Sequence, residues 1–201
     1  PLIGTFLMTQ ERTFSSFGFH DCLMRAIDEM GYVKPTPIQL SAIPLVLAGH
    51  DVMGAAQTGT GKTASFGLPL LERLIPFANA SASPARHPVR ALILTPTREL
   101  ADQVHVNLQA YCKYAGLRTA CVFGGVDIRS QADTLRRGIE VLVATPGRLL
   151  DLMSQGYVHL DQVKYFVLDE ADRMLDMGFV ADIKRLLPLL PKSRQTLFFS
   201  A

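Results

Sequence analysis

The chain has 201 residues, with 20 Lys and Arg against 18 Asp and Glu, so its formal net charge is only +2. That length suits one α/β domain with a single core, and the near-neutral balance excludes a generally basic nucleic-acid binder, so any basic surface must be local. The three cysteines, Cys22, Cys112 and Cys121, are odd in number and lack Cys-x-x-Cys spacing, and the five histidines never pair at ligand spacing; the thiols read as reduced, as in a cytoplasmic protein, and no structural metal is expected.

Taken in chain order, Pro1 to Leu7 precedes an internal Met8 and lacks the charged start and long apolar stretch of a secretory signal, so it reads as a cloning remnant. Helices are expected over His20 to Met30 and Pro37 to Leu47, followed by a strand over Asp51 to Ala55. A helix over Lys62 to Ile75 leads into Asn79 to Pro88, which is rich in Ala, Ser and Pro and reads as a surface loop. Strands at Arg90 to Thr95, Thr119 to Phe123, Val141 to Ala144, Tyr165 to Asp169 and Thr196 to Ser200 then alternate with helices. Those helices cover Arg98 to Tyr114, Ile128 to Arg137, Pro146 to Ser154 and Val180 to Leu187. Short apolar runs alternating with helix-length segments predict an α/β fold with a mostly parallel, twisted sheet and helices on both faces. No apolar run approaches the roughly 20 residues of a membrane span, so no membrane partner is expected.

In such a sheet, ligands gather outside the carboxyl ends of the strands. Ala56-Gln57-Thr58-Gly59-Thr60-Gly61-Lys62-Thr63 follows the first strand and opens a helix. This context lets backbone N–H groups approach phosphate oxygens, with Lys62 reaching the β/γ-phosphates and the Thr63 hydroxyl placed for Mg²⁺. Ala56 stands where the general phosphate-loop pattern has Gly. Asp169-Glu170-Ala171-Asp172 ends another apolar run, and a rigid strand tip suits a metal site. Asp169 is assigned to Mg²⁺, largely through water, and Glu170 to the attacking water. Helix capping by Asp169 or Asp172 is the competing reading of these carboxylates. The nucleotide reading therefore calls for ATP and Mg²⁺.

The remaining strand ends carry Pro96-Thr97-Arg98, Gly124-Gly125, Thr145-Pro146-Gly147-Arg148 and Ser200-Ala201. With Gly31-Tyr32-Val33-Lys34-Pro35-Thr36-Pro37-Ile38-Gln39, the phosphate loop and Asp169 to Asp172, these make seven motifs in order. In them the chain resembles the DEAD-box ATP-dependent RNA helicases of superfamily 2. The texture of Thr36 to Gln39 and of Arg173 to Phe179 is similar to that of the bacterial RhlE-like branch.

The resemblance implies a RecA-like domain over residues 41–201, preceded by an N-terminal segment over 8–40 that carries the Q motif. Gln39 would read adenine, since an amide offers a donor and an acceptor together. By resemblance, Tyr32 would pack on the base, Phe14 would brace that segment and Pro37 would belong to the same site. Asp172 and Ser200 would join the catalytic set, Ser200 by coupling hydrolysis to unwinding. Pro96, Thr97, Arg98, Gly125, Thr145, Gly147 and Arg148 would hold the RNA sugar-phosphate backbone without reading sequence. Arg129, Arg136 and Arg137 read instead as a solvated helix face. The resemblance further implies a second RecA-like domain that supplies arginines across the cleft. These residues alone, expected to be monomeric, should then bind nucleotide without unwinding RNA. A nucleotide-dependent RNA clamp and a DNA-directed ATPase are the competing readings.

Overall fold

The computed structural model describes residues 11–57 and 59–201. The expected remnant at 1–7, residues 8–10 and Thr58 lie outside the described residues. Six apolar runs become β1 (Val52–Ala55), β2 (Ala91–Leu94), β3 (Thr119–Val122), β4 (Val141–Ala144), β5 (Tyr165–Leu168) and β6 (Gln195–Ser200). All described pairings are parallel, in one sheet of order β1-β6-β5-β2-β4-β3. The helices are α1 (Asp21–Glu29), α2 (Pro37–Leu47), α3 (Lys62–Leu74), α4 (Arg98–Tyr111), α5 (Ile128–Arg136), α6 (Pro146–Ser154), α7 (Ala171–Asp176) and α8 (Val180–Leu186).

Why the central strands lack polar alternation is visible in how they are covered. Successive side chains of a strand point to opposite faces, and here both faces are packed. Ala91, Ile93, Val141, Val143, Tyr165 and Val167 join α1 to α4 in one apolar cluster. Leu92, Leu94, Leu142, Ala144, Phe166 and Leu168 join α5 to α8 in the other. β2, β4 and β5 are accordingly buried throughout, whereas edge strand β1 alternates between half-buried and exposed residues. This is the α/β, RecA-like arrangement that the sequence implied.

The elements differ from expectation at their ends. Asp51 precedes β1 because its carboxylate accepts from the Thr196 N–H at 2.8 Å instead of continuing the ladder. The helix expected to reach Tyr114 ends at Tyr111, and the chain turns through Gly116 at φ 68°. α7 was not expected; Ala171 and Met174 bury this short helix directly behind Asp169 and Glu170.

Strand order divides the carboxyl-end rim. The tips of β1, β6 and β5 lie side by side, and those of β2, β4 and β3 form the adjoining group. The first group carries the phosphate loop, Ser200 and the Asp169-Glu170 pair. The second carries the three motifs containing Arg98, Arg148 and the paired glycines.

Candidate functional site

The loop after β1 is fixed at both ends. The Ala56 N–H donates to the Ser200 carbonyl at 3.0 Å, tying the loop's start to the tip of β6. Gly59 and Gly61 stand at φ 84° and 81°, a left-handed region that glycine enters without a Cβ penalty. At Gly61 the need is doubled, because a Cβ there would lie 2.2 Å from Gln39 Nε2. Gly61 caps α3, so the helix opens with its unpaired N–H groups and the positive end of its dipole toward the loop. Thr63 is half-buried in that first turn. Ala56, Gln57 and Thr60 shape the loop rather than the cleft beside it, and the Thr60 hydroxyl donates to the Gln57 carbonyl at 2.5 Å.

Lys62 is buried and joins the two motifs. Its Nζ lies 3.2 Å from Asp169 Oδ1 and 3.4 Å from Glu170 Oε1. Asp169 is 3% exposed, and burial pushes its carboxyl above the usual range, outweighing the Lys62 ammonium that pulls it down. Although Oδ1 is within ion-pair range of Lys62, it has no aligned hydrogen-bond donor. Glu170 has φ 54°, the one non-glycine residue at positive φ among those described. Such a backbone costs on the order of 1–3 kcal/mol and is retained where the surroundings over-determine it. Here the result is that both carboxylates face one ammonium. Asp172 is exposed in the first turn of α7, outside the cleft, and half-buried Ser200 ends β6.

A cleft of about 450 Å³ extends from Lys62, Thr63, Asp169 and Glu170 toward Gln39 and Tyr32. Gln39 Oε1 accepts from the Thr36 N–H at 2.9 Å, while its Nε2 donates to the Gly61 carbonyl at 3.2 Å. An amide has two donor hydrogens and two acceptor lone pairs, so one of each remains for a ligand. Tyr32 stacks at 5.8 Å between centroids against buried Phe14, and its hydroxyl meets that of Tyr111 at 3.3 Å. Pro37 is exposed at the first position of α2 and does not line the cleft. Leu100, Gln103, Val104 and Asn107 do line it, and the sequence reading missed them. Their spacing of three and four places them on one face of α4, and that periodicity was the available signal.

On the neighbouring tips, the Thr97 hydroxyl accepts from the Leu100 N–H at 3.3 Å and caps α4. Arg98 is exposed, its guanidinium 4.8 Å from the centroid of the Phe123 ring, and Pro96 is buried. Thr145 is buried at the start of α6, and Gly147 is exposed in its first turn. Gly125 is exposed at φ 83°. Arg148 is half-buried and committed internally: Nη1 donates to Gln131 Oε1 at 2.9 Å and Nη2 to the Val126 carbonyl at 3.0 Å.

A larger concavity of about 1210 Å³ lies at the opposite rim, against His87, Ile139 and Tyr157, where none of these motifs reaches. Among the described residues no group of three or more His, Cys, Asp or Glu could hold a metal by itself. A Mg²⁺ at Asp169 would therefore depend on phosphate oxygens and water, as that ion's usual coordination allows. The buried Oδ1 of Asp169, which has Lys62 within ion-pair range but no hydrogen-bond donor, fits such an ion. Among the described residues no helix is long and apolar enough to cross a membrane.

Residues 36–201 match the model of the DEAD/DEAH box helicase family. The chain is 47% identical over 188 residues to the ATP-dependent RNA helicase CshA of Limosilactobacillus reuteri, covering 94% of this chain and 36% of that protein. It is 46% identical over 192 residues to the ATP-dependent RNA helicase DeaD of Buchnera aphidicola, covering 95% and 31%. With the ATP-dependent RNA helicase RhlB of Xanthomonas oryzae pv. oryzae it shares 47% over 194 residues, covering 94% and 33%. The chain thus spans about a third of the length of these relatives. Their near-equal identities support the family as a whole, not the RhlE-like branch in particular.

Proposed function

The chain belongs to the DEAD/DEAH box helicase family, and on that premise we propose that it is the ATP-binding first domain of an ATP-dependent RNA helicase. The observation that carries this reading is the junction at Lys62, where one buried ammonium faces Asp169 and Glu170 beside the glycine-rich loop. We divide the chain into an N-terminal segment, residues 8–40, and a RecA-like domain, residues 41–201. The protein acts in the cytoplasm, a compartment that suits three free thiols.

ATP enters with its phosphates at the loop and the first turn of α3. Lys62 turns from the carboxylates to the β/γ-phosphates, which leaves Asp169 and Glu170 without their shared counter-ion. Mg²⁺, when bound, neutralises phosphate charge during transfer. Asp169 and the Thr63 hydroxyl would hold it, and Glu170 orients the attacking water. Gln39 offers its remaining donor and acceptor to adenine, whose exocyclic amine and ring nitrogen complement them, while Tyr32, backed by Phe14, provides an aromatic face.

RNA lies across the second group of tips. Arg98, the N–H groups at the starts of α4 and α6, and the exposed glycines at 125 and 147 meet sugar-phosphate without reading bases. A second RecA-like domain of the longer polypeptide closes over both ligands, so that ATP binding grips RNA and hydrolysis releases it. Glu170 favours this enzymatic reading over that of a passive RNA clamp, because a clamp has no need of a water-orienting carboxylate.

Nucleotide selectivity tests the proposal. Competition against a fluorescent ATP analogue should show Mg·ATP bound at least about tenfold more tightly than Mg·GTP, a difference of about 1.4 kcal/mol. Gln39→Glu, which removes the amide donor, should abolish most of that preference. Equal binding of the two nucleotides by the unsubstituted chain would overturn the assignment of Gln39.

A further inference from the structure

The two glycines after β3 are bracketed by a pair of side chains from different helices. Gln131 of α5 is 8% exposed, and its Nε2 donates to the Phe123 carbonyl at 3.1 Å, immediately before Gly124. Its Oε1 accepts from Arg148 Nη1, and the same guanidinium donates through Nη2 to the Val126 carbonyl, immediately after Gly125. The carbonyls on both flanks of the turn are thereby tied through one Gln–Arg pair to α5 and α6. The glycines themselves stay open, since a Cβ built on either would meet nothing within 4 Å. Held flanks and a bare tip are what a backbone contact with a sugar-phosphate strand requires.

We propose that Gln131 is a positioning residue for RNA binding, and that Arg148 acts through the same clamp rather than as a free phosphate ligand. The proposal rests on the RNA reading of these tips. Gln131 carries no charge and is buried away from the rim surface, so its influence passes through the loop it holds. An amide is the side chain suited to this place: it must donate to a carbonyl and accept from a guanidinium at once, and neither Glu nor Met can do both. Arg148 likewise needs two divergent donors, so a lysine cannot replace its fork. Phe123 extends the arrangement, because its ring lies under the Arg98 guanidinium while its carbonyl is held by Gln131.

The test compares three variants of the full-length polypeptide carrying this chain, by titrating single-stranded RNA over a series of salt concentrations with a non-hydrolysable ATP analogue present. Gln131→Met preserves side-chain length and helix propensity; it should weaken RNA binding about tenfold, as when the released loop holds its binding conformation only about a tenth of the time. Its slope of log affinity against log salt and its ATP affinity should match those of the unsubstituted protein. Arg148→Lys, with its charge retained, should show the same pattern. Arg98→Ala should lower affinity and also reduce the salt slope by about 0.7, the value of one phosphate contact on a single strand. Unchanged RNA binding in Gln131→Met, beside a weakened Arg98→Ala, overturns the clamp while leaving the RNA reading intact. Unchanged binding in all three removes that reading and the clamp with it. Should Gln131→Met fail to fold, Gln131→Glu keeps the acceptor for Arg148 and loses only the donor to Phe123. Full RNA affinity in that variant would equally overturn the proposal.

Discussion

Asp169 is a carboxyl group kept at 3% exposure with one oxygen lacking a hydrogen bond. Burial raises its folded-state pKa above the ordinary value of about 3.9. The folded protein therefore binds this proton more readily than the unfolded chain does. Stability falls as pH rises from about 4 through the raised folded value, and at neutral pH the ionised carboxylate is a net cost. Asp169→Asn should consequently raise the ligand-free melting temperature at pH 7, with Glu170 remaining as the counter-ion of Lys62. The same variant should lose the further stabilisation that Mg·ATP gives the unsubstituted chain. Calorimetry with and without Mg·ATP measures both quantities, and a lower ligand-free melting temperature would show that the Lys62 contact outweighs burial. Asp169 itself was legible because it ends an apolar run beside a phosphate-loop pattern. The left-handed backbone of Glu170 was not, since no local signal marks a glutamate for positive φ; it follows from α7 starting immediately after a strand.

Among the elements, the segment from 79 to 88 is the surface loop its composition predicts, with residues 80 and 82–86 exposed. Ala, Ser and Pro give it the texture of a loose linker, yet it is pinned at its end. His87 Nδ1 meets Glu140 Oε1 with both side chains fully buried, and His87 Nε2 meets the Ser81 carbonyl at 2.7 Å. The other oxygen of Glu140 accepts from the Arg118 N–H at 2.7 Å, and Arg118 Nη2 donates to the Ser81 carbonyl at 2.8 Å. One carboxylate at the start of β4 thus holds the loop and the entry to β3. Removing the Glu140 carboxylate leaves the His87 ring nitrogen and the Arg118 N–H without their partner in the interior, at about 1–3 kcal/mol for each unsatisfied group. Glu140→Ala should lower the melting temperature by on the order of 10 °C for a chain of this size. Lys34→Ala, which breaks an exposed pair with Glu11, should change it little. Similar shifts for the two variants in parallel thermal melts would contradict this account. Residues 87 and 140 lie 53 apart, and no periodicity links them. The six strands were legible for the opposite reason, since double-sided burial writes itself into a continuous apolar run, whereas α7 is too short and too polar to announce itself.

At the scale of the whole molecule, the sequence placed the motifs on strand ends, but strand order decides what they can do together. Chain order alone does not insert β6 between β1 and β5, or β4 between β2 and β3. Once it does, the rim separates into one group that carries the phosphate loop, Ser200 and the Asp169-Glu170 pair and an adjoining group that carries Arg98, the paired glycines and Arg148, and the Ala56 to Ser200 bond joins the phosphate loop to the strand between its two halves. Among the described residues, the two lysines that line the cleft and the arginine beside Glu170 are already engaged. Lys62 faces two carboxylates, Lys34 meets Glu11 at 2.6 Å, and Arg173 lies 3.8 Å from Glu170. In the proposed function ATP draws away the buried Lys62, whereas Lys34 and Arg173 are exposed on long side chains and are poorly placed to stabilise charge developing in transfer. In phosphate-loop enzymes an added arginine is worth about 10³ to 10⁵ in rate, and the proposed second domain would supply one here. The 201-residue chain should therefore bind Mg·ATP yet turn it over about 10³-fold or more below the full-length polypeptide with RNA, and it should not separate RNA strands. Single-turnover hydrolysis of labelled ATP by both proteins makes the comparison. A chain rate within about tenfold of the full-length value, a barrier difference of about 1.4 kcal/mol or less, would mean that the described residues already contain the complete catalytic set, with Arg173 the first candidate for the missing cation.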